Sequence, residues 1–268
     1  MHNFCKISGF TVVDLVHHKS FYVILTICVL FVLMLKGCYK QDYTVNGQHI
    51  NSTAVAWHAS IIAFHVISAG ALIIAALLSI GTFRRDKNDG SVAYIMSRPV
   101  KRFEYIIAKI SGQWAVSSFF MFVLHSTILI VAYVNTGGFI PGYLTASLVC
   151  SLNVLLMVII VSLLSLFMRD FAAALLSMGI VATGYISDSI FQAANSDFIK
   201  TALPNAFPAP AVWRIAWPKI SSLQYYAASL IDNSGFHSMG PVHPLVNVTF
   251  FILILGILLV RQFKHEEF

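Results

Sequence analysis

The sequence predicts an all-α integral membrane protein of six transmembrane helices, and three observations carry that prediction. Hydrophobic residues make up 58% of the 268 and charged residues 10%. A soluble domain uses roughly a quarter of its residues as charges to cover its surface. The apolar residues also fall in long charge-free runs, which is the pattern lipid imposes. Finally, the charges are concentrated: residues 84–109, "RRDKNDGSVAYIMSRPVKRFEYIIAK", hold ten of them.

The elements follow in chain order. In the lead, 1–19, Phe4, Ile7, Phe10, Val13 and Val16 recur at i, i+3 spacing, with Lys6, Asp14 and His17 elsewhere. This pattern predicts an amphipathic helix lying in the membrane interface. Residues 20–35 form a short first span, with Lys19 and Lys36 placed to reach the headgroups. No small-residue cleavage pattern follows it, so it reads as an uncleaved span and not a signal peptide. Residues 54–83 form the second span. Residues 110–168 contain no Asp, Glu, Lys or Arg, and they far exceed the roughly 20 residues one helix needs to cross. "NTGGFIPGY" at 135–143 breaks them into two spans, because Gly-Gly and Pro-Gly are strong turn formers. Arg169-Asp170 makes a tight turn, 171–187 a fifth span and 244–260 a sixth. Between the last two lies 189–243, with "LPNAFPAPAVWRIAWPKISSLQYYAASLI". Its prolines and aromatics predict short helices resting at the outer interface.

Basic residues orient the bundle. With a cytoplasmic N-terminus, segments 1–19, 84–109, 168–170 and 261–268 hold twelve of the seventeen Lys and Arg. The other side holds Lys36, Lys40, Lys200, Arg214 and Lys219. Positive charge stays inside, so both termini of this multi-pass protein are expected in the cytoplasm. The net charge of +6 is thereby a topological signal, and no nucleic-acid partner is expected. The four cysteines (Cys5, Cys28, Cys38, Cys150) have no paired spacing, so neither a disulfide framework nor a metal site is indicated.

The charged loop has internal structure. Gly90-Ser91 offers a break and a helix N-cap, Val92, Ala93, Tyr94, Ile95 and Met96 form a short helix, and Ser97-Arg98-Pro99 ends it. A helix restarts at Val100–Glu104 and runs into the third span. A solvated linker has no need of Val, Tyr, Ile and Met at its centre. A short apolar helix outside the membrane is a docking element.

These residues resemble the loop between the second and third helices of ABC-2-type exporter permeases. That family shows an acidic residue, Gly-Thr/Ser, a leucine-rich turn, Ser-x-Pro-hydrophobic-x-Arg, an acidic residue and a closing Lys. Here Asp86, Gly90, Ser91, Ser97, Pro99, Arg102, Glu104 and Lys109 occupy those places. "SRPVKRFEY" is similar to the subgroup containing the membrane subunit of the copper-site maturation exporter of nitrous oxide reductase. The resemblance covers the whole chain in layout and this loop in motif. The elbow helix departs from it, having Thr11 to Asp14 where the family usually has Lys-Glu.

The resemblance implies one transmembrane domain over 1–268, with an elbow helix (1–19), a coupling-helix loop (84–105) and an outer segment (189–243). It implies that a separate cytoplasmic ABC ATPase receives the coupling helix through Arg85, Asp86, Asp89, Gly90, Ser91, Val92, Tyr94, Ile95, Met96, Arg98, Pro99, Arg102 and Glu104. It further implies a second permease copy (a homodimer, or a related permease), with ATP and Mg on the partner and no cofactor in this chain. The chain has no P-loop, HExxH or GxSxG motif, so no catalytic residue is assigned and it is not expected to be an enzyme.

Two rival readings use other residues. His58, His65 and His125 would serve a membrane enzyme or a proton-coupled transporter if they faced one another; otherwise they are neutral histidines hydrogen-bonded inside the bundle. Segment 189–243 would touch a periplasmic partner if the chain only transmitted ATPase motion. Asp188 would contact substrate if it lined a cavity.

Overall fold

The computed structural model describes residues 2–17, 19–35, 44–45, 48–49, 52–97, 100–136, 142–195, 217–232, 236 and 242–265. Ten helices run through them: α1 (His2–His17), α2 (Lys19–Leu35), α3 (Ser52–Ser79), α4 (Thr82–Asn88), α5 (Ser91–Met96), α6 (Arg102–Thr136), α7 (Gly142–Phe167), α8 (Asp170–Asn195), α9 (Ile220–Asp232) and α10 (Pro244–His265). Between α2 and α3, Thr44–Val45 pairs antiparallel with Gln48–His49 in a two-residue ladder. The protein is otherwise all-α among the described residues.

Five stretches are long and apolar enough to cross a membrane: His58–Asp86, Arg102–Val134, Gly142–Phe167, Asp170–Phe191 and Pro244–His265. The remaining predicted span is α2, which meets α1 at a bend of 65°. The position of the ends supports six crossings. Asp14 of α1 lies 4.0 Å from Arg85 of α4, and the Lys264 carbonyl near the end of α10 accepts a 3.0 Å hydrogen bond from Arg102. The first and last helices therefore reach the same end of the bundle, which requires an even number of crossings.

The helices are arranged around α7, which buries fifteen residues from Tyr143 to Ser165 and packs against α3, α6, α8, α9 and α10. The rim is apolar: Phe171, Leu175 and Ile186 on α8, and Val246, Phe250, Leu253 and Ile257 on α10, are each at least half exposed. Side chains of that kind pointing outward on every peripheral helix are what lipid selects.

α1 lies against α6. A side chain at Gly112 would stand 2.8 Å from Thr11 Cβ, so glycine is what lets the two backbones approach. Thr11 and Leu15 are buried, whereas Phe10 (80% exposed) and Val13 point away. The predicted apolar stripe is thus divided. Five positions at i, i+3 drift by about 60° per step and sweep about 240° of the helix, too wide for one face.

The region before the sixth span also differs from expectation. A short helix is present there, α9, but it is buried. Ile220, Leu223, Ala227 and Ile231 are each at most 2% exposed, and the helix packs against α3, α7, α8 and α10. Its far end presses on Gly142, where a Cβ would fall 2.1 Å from the Leu230 carbonyl oxygen. Residues 196–216, including the predicted "LPNAFPAPAVW", lie outside the described residues.

Candidate coupling surface

Between the second and third spans the chain forms two short helices, not one, and the apolar stretch of the second span runs on into the first of them, to Asp86. α3 ends at Gly81, whose φ of +67° is the left-handed conformation that stops a helix. The Gly81 carbonyl then accepts from Arg85 N at 2.7 Å and starts α4. Gly90, at φ +69°, repeats the device, and its carbonyl accepts from Tyr94 N at 3.1 Å to start α5. The Ser97 hydroxyl donates to the Tyr94 carbonyl at 2.7 Å, satisfying one of the open groups at the end of α5.

α4 is fixed by three consecutive charged residues. Arg84 donates to the Met168 carbonyl at 3.0 Å and stands 3.8 Å from Asp170, both at the α7–α8 turn. Arg85 faces Asp14 of α1 at 4.0 Å. Asp86 turns inward, 2.7 Å from the Lys109 ammonium, and accepts a hydrogen bond from the Tyr105 hydroxyl. Phe83 and Phe263 pack against Tyr105 with ring centroids 6.3 and 5.8 Å away. Beside this assembly a cleft of about 700 Å³ opens between α1, α4, α5 and α6, with Lys6, Phe10, Asp14, Asp89, Tyr94 and Lys109 on its walls.

The predicted docking residues separate into groups. Tyr94 is 65% exposed, and Arg85, Asp89, Gly90 and Arg102 are also exposed. Ser91, Ile95 and Glu104 are half-buried, with Ile95 packed on the core. Val92 and Asp86 are buried, at 1% and 9%, so they seat the loop against the bundle and offer a partner no area. Arg102 also closes on the end of α10. Arg98 and Pro99 lie outside the described residues, as does the Met96 side chain.

The sequence reading placed Lys109 at the close of the motif without a partner. The signal for one was available: Tyr105 and Lys109 are four residues apart on one helix face, and a lysine entering an apolar span needs a counter-charge.

The rival residues are not brought together. His125 is fully buried, with the Ser147 hydroxyl 2.8 Å from Nδ1, the Ser68 hydroxyl 3.4 Å from Nε2, and Phe64 stacked at 4.7 Å. His65 instead meets Tyr225, centroids 5.0 Å apart, and His58 is exposed. Among the described residues no group of three or more His, Cys, Asp or Glu is placed to hold a metal ion. Asp188 is buried, and its carboxylate accepts from the hydroxyls of Ser221 and Ser222, the latter at 2.8 Å. It anchors the first turn of α9, where the positive helix end favours an anion. Neutral groups hold α9 elsewhere: Asn153 donates to the Ile220 carbonyl at 2.9 Å, and Gln224 to the His65 carbonyl at 2.7 Å.

A search of curated proteins finds no match to this chain. A family model described as "ABC-2 family transporter protein" matches residues 12–261. That match runs from within α1 into α10 and takes in all the helices between, α4 and α5 included. With its apolar multi-span fold and its two-helix loop at one end, the chain belongs to the ABC-2 family of transporter proteins, as a membrane subunit.

Proposed function

We propose that this chain is the permease of an ATP-driven exporter, with α5 as the helix that docks into a separate cytoplasmic ATPase. The observation that carries the reading is the presentation of α5. It is a two-turn helix set off by Gly90 at φ +69° on one side and the Ser97 cap on the other. Its inner side chain, Val92, is buried and its outer one, Tyr94, is 65% exposed. A helix held rigidly from behind, with an aromatic facing out and Arg85 and Asp89 beside it, suits reception by a complementary groove. Binding of ATP, with its Mg, by the partner would pull α5 and tilt the spans, moving substrate outward from the inner membrane.

The basic-residue asymmetry supports cytoplasmic termini. The family supports an ABC ATPase partner, and by the same resemblance two permease copies, identical or related, would complete the assembly. "SRPVKRFEY" favours the nitrous oxide reductase maturation subgroup, and within 189–243 the residues outside the buried α9 would reach a periplasmic partner.

The test is co-purification with the ATPase. Tyr94→Asp changes an exposed side chain, so the fold survives. Loss of a central interface aromatic costs about 2 kcal/mol or more, roughly a thirtyfold weaker complex. Capture of the ATPase at undiminished affinity by Tyr94→Asp would refute α5 as the docking element.

A further inference from the structure

Three adjacent residues of α4 address three different parts of the bundle. Successive helix positions point about 100° apart, so Arg84, Arg85 and Asp86 diverge to the α7–α8 turn, to α1 and to α6. The three connections are not equal. The side chains of Arg85 and Asp14 are 45% and 55% exposed, and those of Arg84 and Asp170 are 41% and 25% exposed. Water and salt screen such pairs. The side chains of Lys109 and Asp86 are 10% and 12% exposed at a separation of 2.7 Å. The Tyr105 hydroxyl also bonds the carboxylate, and Phe83 and Phe263 enclose the Tyr105 ring.

α4 is joined to its neighbours in sequence through left-handed glycines at both ends, Gly81 and Gly90. Apart from the chain link 97–101 into α6, a displacement of α5 enters α4 through Gly90 and leaves through the packing of α4 on α7 and through the least yielding of its three side-chain connections. That connection leads to α6, which packs against α1, α3 and α7.

We infer that the buried Asp86–Lys109 pair, closed by Tyr105, is the strut through which movement of α5 reaches the third span, making Asp86, Tyr105 and Lys109 positioning residues of transport. The inference rests on the docking of α5 proposed above. It assigns the buried end of the motif a role distinct from its exposed end: Tyr94 receives the partner, and Asp86 passes the motion on.

The experiment uses the full chain assembled with its ATPase in nanodiscs, the native cysteines replaced. Spin labels are attached through the ketone of a p-acetylphenylalanine placed at Ile130 of α6 and at Val246 of α10, 59% and 62% exposed, so that they need no thiol. The parent complex is expected to change its label distance when ATP and vanadate are added. The variant Asp86→Leu with Tyr105→Phe and Lys109→Met removes the strut and leaves no buried polar group of the three unpaired. It is expected to keep capturing the ATPase and hydrolysing ATP, and to lose the distance change.

A second variant guards against misfolding. Asp86→Cys with Lys109→Cys is read before and after joining the thiols by a short bis-methanethiosulfonate, and the bridge is expected to restore the change in the same sample. A full distance change without the pair, or no recovery on bridging, overturns the strut alone. A parent chain that fails to capture the ATPase defeats the docking reading, and the strut with it.

Discussion

Two carboxylates in this chain are buried almost equally, Asp86 at 9% and Asp188 at 7% exposed, and their donors differ. Asp86 has an ammonium at 2.7 Å and a phenol, both from the same face of α6. Asp188 accepts two serine hydroxyls from the first turn of α9, Ser222 at 2.8 Å. An ammonium left behind in this mostly buried site at the edge of the cleft keeps its charge and loses its partner. A serine hydroxyl left behind is neutral, so it loses a hydrogen bond and leaves no unpaired charge. The same residue type should therefore fail in two ways, severely at the α5 end of the bundle and mildly beside α9.

The largest effect is expected from Asp86→Ala. It orphans the Lys109 charge, a loss of about 3–5 kcal/mol by the usual cost of breaking a buried pair. The thermal midpoint of the purified protein should drop steeply, and adding Lys109→Met should recover most of it, because no charge is then left unpaired. An unshifted midpoint in the single variant would mean the pair is hydrated, and the contrast with Asp188 would disappear.

Asp188→Ala should cost less, about 1–3 kcal/mol, as expected when hydrogen-bonded polar groups lose one shared acceptor. Its effect should also be local. Hydrogen exchange should accelerate in α9, which Asp188 anchors, and remain slow in α4 to α6. Equal acceleration at both ends would show that the two polar clusters act as one unit.

The spans were legible in the sequence because lipid sets a minimum length for a charge-free run, and Gly-Gly, Pro-Gly and Arg169 mark where the runs stop. α5 was legible for a similar reason: Gly90-Ser91 begins it, and the chain must turn before Pro99. The orientation of individual side chains was not. Val92 reads as one more apolar residue of a docking helix, and only its neighbours in space reveal that it faces the core. Asp86 reads as part of a charged run until Lys109, 23 positions later, is brought to 2.7 Å. The depth of α9 was concealed by composition, since Tyr, Gln and Ser suit an interface as readily as a polar packing seam.

The smallest effect is expected from Arg85→Gln. Arg85 and Asp14 are 4.0 Å apart, with side chains 45% and 55% exposed. Pairs of this kind contribute about 0–1 kcal/mol and weaken further in salt. α1 does not depend on it: Gly112 admits Thr11 at close range, Ser111 donates to Ser8 at 3.3 Å, and Leu15 joins Phe21, Ile74, Leu78, Val116 and Phe120 in a shared core. Melting of Arg85→Gln should match the parent at high salt and fall only slightly below it at low salt. A large loss that persists in salt would make the exposed pair a structural member equal to Asp86–Lys109. Motion of α5 would then have two comparable side-chain routes out of α4, one into the third span and one into α1.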